Sequence, residues 1–223
     1  WNSIYFCILT VPVGIILALL LNEIRVKWFK RTTQTLLYLP HFLSWVVIGA
    51  VAYQMFATQS GVVNALIANA GKSPIPFLQE DGWWLFSYVL IGVWQTMGWG
   101  TIIYLAAITN VNSELYEAAK VDGANRWQQC LHVTLPCIRS TIVVMLIMQL
   151  GKLMGGSFER IVALSNAKAT EFTTTIPVLV YKWFQGNKFS ESTALGLFQS
   201  VIGVILVIAS DRVAKKLGED GLL

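Results

Sequence analysis

The side chains in this sequence that could do chemistry are few, and the chemistry they suit is non-covalent. Lys152 sits in an otherwise apolar run and at helical spacing shares a face with Met145, Gln149 and Gly156. A cation withdrawn from water is costly and is by default functional. Lys152 either lines a polar path or snorkels outward along its aliphatic stem, with Glu159 two turns on as an ion partner. Gln95 and Trp99 stand four residues apart, next to Trp94 and among Gly92, Gly98 and Gly100. An amide beside an indole suits a sugar: the amide bonds hydroxyls while the ring covers the apolar face of a pyranose. The same residues serve equally well for close helix packing, with Gln95 bonded to a neighbouring helix. Tyr53 and Gln54 place a further polar pair at the end of an apolar run. Cys130, His132 and Cys137 straddle a turn without a fourth ligand, so they read as structural residues rather than a metal site.

The longest polar stretch between apolar segments is the loop from Asn112 to Pro136, and its grammar is two short helices joined by a tight turn. Asn112 or Ser113 can cap the first helix, with Glu114 and Glu117 in turns where the helix dipole favours negative charge. Ala118 and Ala119 leave a low surface against which another body can press. Asp122-Gly123 ends this helix, since glycine accepts the left-handed conformation. Asn125 can cap the second helix, with Gln128 reaching back to close a capping box. Leu135-Pro136 ends it and opens the next.

The elements that must position these residues are membrane helices. Of 223 residues, 55% are hydrophobic and only 13% charged, with nine tryptophans, and the mean hydropathy is +0.60. An ordinary soluble domain does not have this balance. Five apolar segments approach the length needed to cross a bilayer: Ile4–Leu21, Leu36–Phe56, Trp84–Ile108, Ile138–Gly155 and Ala194–Ala209. Their connections alternate in charge. Ten basic residues fall on the side that holds the 112–136 loop and the C-terminal tail, and five on the other, namely Lys72, Arg160, Lys168, Lys182 and Lys188. The richer side is expected to be cytoplasmic. The segment Ile176–Phe184 is too short to span and is expected to lie at the interface or re-enter part-way. The chain opens on an apolar segment at Trp1, and an upstream segment is expected to precede it. Residues 1–223 are read as a single transmembrane domain.

The sequence lacks the phosphate-cradling G-x-x-x-x-G-K-[ST], HExxH and G-x-S-x-G patterns. A membrane-embedded enzyme is therefore disfavoured, and any ATP-derived work must be delivered to this chain by another. The basic residues lie between apolar spans, which disfavours a nucleic-acid partner.

Glu117-Ala118-Ala119, Gly123 four residues later and Leu135-Pro136 resemble the EAA loop of the permease subunits of binding-protein-dependent ABC importers. The strings Ala18-Leu-Leu-Leu-Asn22-Glu23, Phe29-Lys-Arg31, Tyr38-Leu-Pro-His-Phe-Leu-Ser-Trp45 and Tyr104-Leu-Ala-Ala107 look like the sugar-importer branch that handles oligosaccharides. The resemblance implies an all-α polytopic membrane protein with the type I importer fold, five spans here and a cytoplasmic coupling helix. It further implies a subunit of the bacterial cytoplasmic membrane that forms a heterodimer with a second permease. Two ATPase subunits would hold ATP and Mg, leaving this chain without a cofactor of its own, and an extracytoplasmic binding protein would deliver the carbohydrate. Coupling would fall to Glu117, Ala118, Ala119, Asp122, Gly123, Leu135 and Pro136. Tyr53, Gln54, Trp94, Gln95, Trp99, Gln149 and Lys152 would be the candidates for the substrate path. A permease for an amino acid or peptide is the alternative within this class. A channel or secondary transporter lies outside it and would call for paired intramembrane charges or an internal repeat.

Overall fold

The computed structural model describes residues 2–153, 155, 157–165, 173–216 and 218, and every regular element among them is helical. Gly156 and Lys168, which entered the reading above, lie outside the described residues. The elements are α1 (Asn2–Glu23), α2 (Lys27–Tyr38), a 3₁₀ turn (Leu39–Phe42), α3 (Trp45–Phe56), α4 (Val62–Asn69), α5 (Asp81–Thr109), α6 (Ser113–Val121), α7 (Arg126–Gln129), α8 (Leu135–Cys137), α9 (Arg139–Gly151), α10 (Phe158–Leu164), α11 (Ile176–Gln185) and α12 (Phe189–Lys216). A π-helical segment, Cys130–Thr134, joins α7 to α8.

Among the described residues three helices, α1, α5 and α12, are long and apolar enough to cross a membrane, and the number rises to five if each of two bent pairs counts as one span. α1 runs unbroken through Pro12.

The expected span Leu36–Phe56 is broken, because the chain turns by 102° between Lys27–Phe42 and Trp45–Phe56. Pro40 lacks an N–H and sits in the 3₁₀ turn. Ser44 is extended and its hydroxyl accepts the Val47 N–H at 3.4 Å, starting α3 afresh. The expected span Ile138–Gly155 is also altered. Its helix begins after a 62° bend and ends at Gly151, where glycines follow that give little helical propensity. Lys152 lies in the turn beyond that end, so it does not continue the helical face of Gln149. The connection 57–82 contains the helix α4. The buried Asn64 of α4 holds the loop together, donating to the Ala57 and Ile75 carbonyls (3.1 and 2.8 Å) and accepting the Ile75 N–H (2.7 Å).

The chain divides into two compact units. One comprises Trp1–Cys7, Phe42–Gln95 and Lys152–Ile205. Its core gathers Ile48 and Ala52 of α3, Trp84 and Tyr88 of α5, Ile161 and Leu164 of α10 and Val178 of α11. The fully buried Trp84 stacks on Tyr88 and donates its indole N–H to the Leu164 carbonyl at 2.8 Å. Gly49 lets α3 approach α10, since a Cβ there would sit 2.6 Å from the Ala163 carbonyl oxygen.

The other unit comprises Ile8–His41, Thr96–Gly151 and Leu206–Leu223. Its core is Val11, Ala18 and Leu21 of α1, Tyr104, Leu105 and Ile108 of α5, and Ile138. The Tyr104 ring packs 3.2 Å from where a Gly14 Cβ would stand. The polar loop 112–136 belongs to this second unit.

Candidate functional site

The loop 112–136 is built from local backbone chemistry. The Asn112 side chain accepts the Glu114 N–H at 3.0 Å and caps α6. At the other end Gly123 has φ +79°, the Ala124 N–H donates to the Ala119 carbonyl (2.9 Å) and the Gly123 N–H to that of Lys120 (3.0 Å). This is a Schellman motif. A Cβ at Gly123 would meet nothing within 4 Å, so backbone conformation alone demands glycine there. The capping box forms at once after it: the Gln128 N–H donates to Asn125 Oδ1 (2.9 Å) and the Asn125 N–H to Gln128 Oε1 (2.8 Å).

The second helix then runs to Cys137 through the π-helical segment. Such widened turns recur at functional sites. The Tyr116 hydroxyl of α6 lies 2.9 Å from the Thr134 hydroxyl, clasping the two helices. Gln129 Nε2 donates to the Ala124 carbonyl at 2.8 Å, and Arg126 forms an ion pair with Glu23 at the end of α1.

Between the two short helices opens a cavity of about 330 Å³, lined by Ala119, Asp122, Gly123, Ala124, Gln128, His132 and Val133. Three candidate coupling residues, Ala119, Asp122 and Gly123, are therefore brought together around one concavity. Glu117 and Ala118 are exposed on α6, and Glu117 makes no hydrogen bond or ion pair among the described residues. Leu135 packs against the core of its unit, and Pro136 is exposed in the first turn of α8. Burial, with help from the Glu23 carboxylate, pushes the Cys130 thiol above its ordinary pKa. His132 Nδ1 lies 3.1 Å from the Gln128 carbonyl oxygen of its own helix.

Of the candidate path residues only Gln95 is buried. Tyr53, Gln54, Trp94, Trp99 and Lys152 are exposed, and Gln149 is half-buried. Trp99 stacks on His41, with ring centroids 5.2 Å apart. No ion pair joins Lys152 to Glu159 among the described residues. The glycines of α5 serve packing: Gly98 lies against the backbone of Leu37, and Gly92 against the guanidinium of Arg160.

Arg160 is the residue that reading the sequence missed. It was counted among loop charges, yet its exposure is 5% and it lies within α10. The available signal was its neighbours, since Phe158, Ile161, Val162 and Leu164 surround it with helical apolar spacing.

The family described as binding-protein-dependent transport system inner membrane component matches residues 10–218. The polygalacturonan/rhamnogalacturonan transport system permease protein YteP of Bacillus subtilis (strain 168) is 45% identical over 212 residues, covering 95% of this chain and 66% of that protein. Protein LplB of the same organism is 40% identical, covering 95% and 67%. The chain thus spans about two thirds of the length of these curated relatives. Among solved structures, a bacterial alginate ABC transporter in complex with an alginate pentasaccharide-bound periplasmic protein superposes with TM-score 0.93 at 33% identity, covering 99% of this chain and 78% of that one. A second, described as a bacterial ABC transporter that imports the acidic polysaccharide alginate, gives TM-score 0.91, also at 33% identity, over 96% and 77%. With the family match running over residues 10–218, the chain belongs to the inner membrane components of binding-protein-dependent transport systems.

Proposed function

We propose that this chain is one of two permease subunits of an ATP-driven importer for oligosaccharides that carry acidic sugar residues. The observation that carries the reading is the pre-organised loop 112–136, a doubly capped helical handle with an exposed Glu117 and a concavity beside it. A chain without a nucleotide-binding pattern of its own needs such a surface to receive work. The loop faces the cytoplasm, a reading supported by the excess of basic residues on its side. Two ATPase subunits hold ATP and Mg, and their closure draws together the loops of this chain and of a different partner permease. Glu117 meets a basic group on the ATPase, while Ala118, Ala119 and the Gly123 turn seat in its cleft. The spans rock, and a translocation path opens outward to a binding protein that presents the saccharide. The acidic class is supported by relatives named for polygalacturonan/rhamnogalacturonan transport and for alginate import.

The test is reconstitution of the chain with its co-purifying permease, ATPases and binding protein in proteoliposomes. ATP-dependent uptake of labelled trigalacturonate is expected. Co-purification without an ATPase, or uptake independent of ATP, would overturn the reading.

A further inference from the structure

The strongest unassigned feature is Arg160. Its guanidinium carbon lies 3.8 Å from the Phe6 ring centroid, 4.5 Å from that of Tyr88 and 5.3 Å from that of Trp45. The fourth wall is the backbone of α5 at Gly92, where a Cβ would overlap a guanidinium nitrogen. Glycine at 92 is thus required for the arginine to reach its place. Within this cage Nε and Nη1 are buried and, among the described residues, have no hydrogen-bond partner. No carboxylate among the described residues pairs with Arg160.

Ring faces attract a cation and offset part of its lost hydration. They accept no in-plane N–H bonds, so two donors remain open in a place water does not reach. A desolvated guanidinium with open donors is a receptor for an anion, and its planar fork matches a carboxylate best.

We infer that Arg160 is a carboxylate seat for a uronic acid unit of the transported saccharide. The inference rests on the acidic-oligosaccharide reading above and deepens it. A uronate carries its carboxylate directly on the pyranose ring, so it presents an anion and an apolar C–H face side by side. Arg160 with Trp45 and Tyr88 offers the matching pair, a guanidinium beside aromatic faces. A uronate fits better than a lipid phosphate, because beside its carboxylate it brings an apolar C–H face for the Trp45 and Tyr88 rings. As the helices part during transport, the carboxylate replaces ring contacts around the guanidinium and forms the missing hydrogen bonds. Lys152, exposed in a turn, offers no such enclosure.

The test compares uptake of trigalacturonate and its fully methyl-esterified form by the complete reconstituted importer, with each variant normalised to the unsubstituted protein. The ester keeps the shape and removes the charge. Arg160→Gln is expected to lower trigalacturonate uptake about tenfold or more and ester uptake less than about twofold. Arg160→Lys should fall between, since an ammonium keeps the charge without the fork. Equal loss for both saccharides in correctly assembled complexes, or no loss, would overturn the seat and leave the proposed function standing. Failure of the unsubstituted importer to move trigalacturonate would overturn both. If Arg160→Gln does not assemble with the ATPases, Arg160→Lys decides: selective loss of the acid supports the seat, and equal rates for both saccharides refute it.

Discussion

The Arg126 guanidinium at the start of α7 meets the Glu23 carboxylate at the end of α1, residues that are 103 positions apart in sequence. Both side chains are more than half exposed, at 61% and 53%, so the pair contributes at most about 1 kcal/mol to folding. Its weight is geometric. It ties the start of the second loop helix to the first long helix, so a pull on the loop reaches α1 directly.

Charge exchange tests this tie. Glu23→Arg and Arg126→Glu alone are each expected to lower ATP-driven uptake about three- to tenfold. The double substitution, which restores the pair with its polarity reversed, is expected to recover most of the rate. Additive losses in the double variant would show that the contact transmits nothing.

Gly123 should be sensitive to its backbone alone. At φ +79° an alanine costs about 1–2 kcal/mol, although its Cβ has open space. Gly123→Asn, which tolerates the left-handed region, is expected to cost less. Protease protection of the loop in the purified complex ranks the three proteins: glycine first, asparagine next, alanine last.

Removing the capping box tests the second loop helix. Asn125→Ala leaves the Gln128 N–H without its acceptor and is expected to cost about 1 kcal/mol. Hydrogen exchange of residues 126–129 should rise about fivefold, with exchange in α5 unchanged.

Much of this loop was legible because caps are local. Asn112, Gly123 and the Asn125–Gln128 spacing each name their own hydrogen bonds within a few residues, and all of those bonds form. α1, α5 and α12 were legible because long apolar runs leave few alternatives. The turn of 102° after Phe42 was hidden because apolar residues continue through it from Leu39 to Val47. Pro40 and Ser44 were the only local marks. α4 was masked by Gly61 before it and by Gly71, Pro74 and Pro76 after it. The different surroundings of Lys152 and Arg160 were hidden for a physical reason. Hydropathy averages over a window and cannot tell a cation at a helix end from one enclosed by rings that come from Phe6, Trp45 and Tyr88, far away in sequence.

The core of the first unit offers a stability test. Trp84→Phe keeps most of the apolar volume but leaves the buried Leu164 carbonyl without the indole N–H. A loss of about 1–3 kcal/mol is expected, read as a lower thermal midpoint of the purified complex. An unchanged midpoint would mean that ring packing alone holds α5 to α10.

The central claim is that work enters through the loop 112–136, and Glu117 tests it most directly. Its carboxylate is exposed and bonded to nothing among the described residues, so Glu117→Ala should change folding stability by no more than about 0.5 kcal/mol. ATP-driven uptake by the complete importer carrying this substitution is the measurement. A loss of about tenfold or more, at unchanged membrane abundance, is the expected result. Uptake at the unsubstituted rate would contradict the claim.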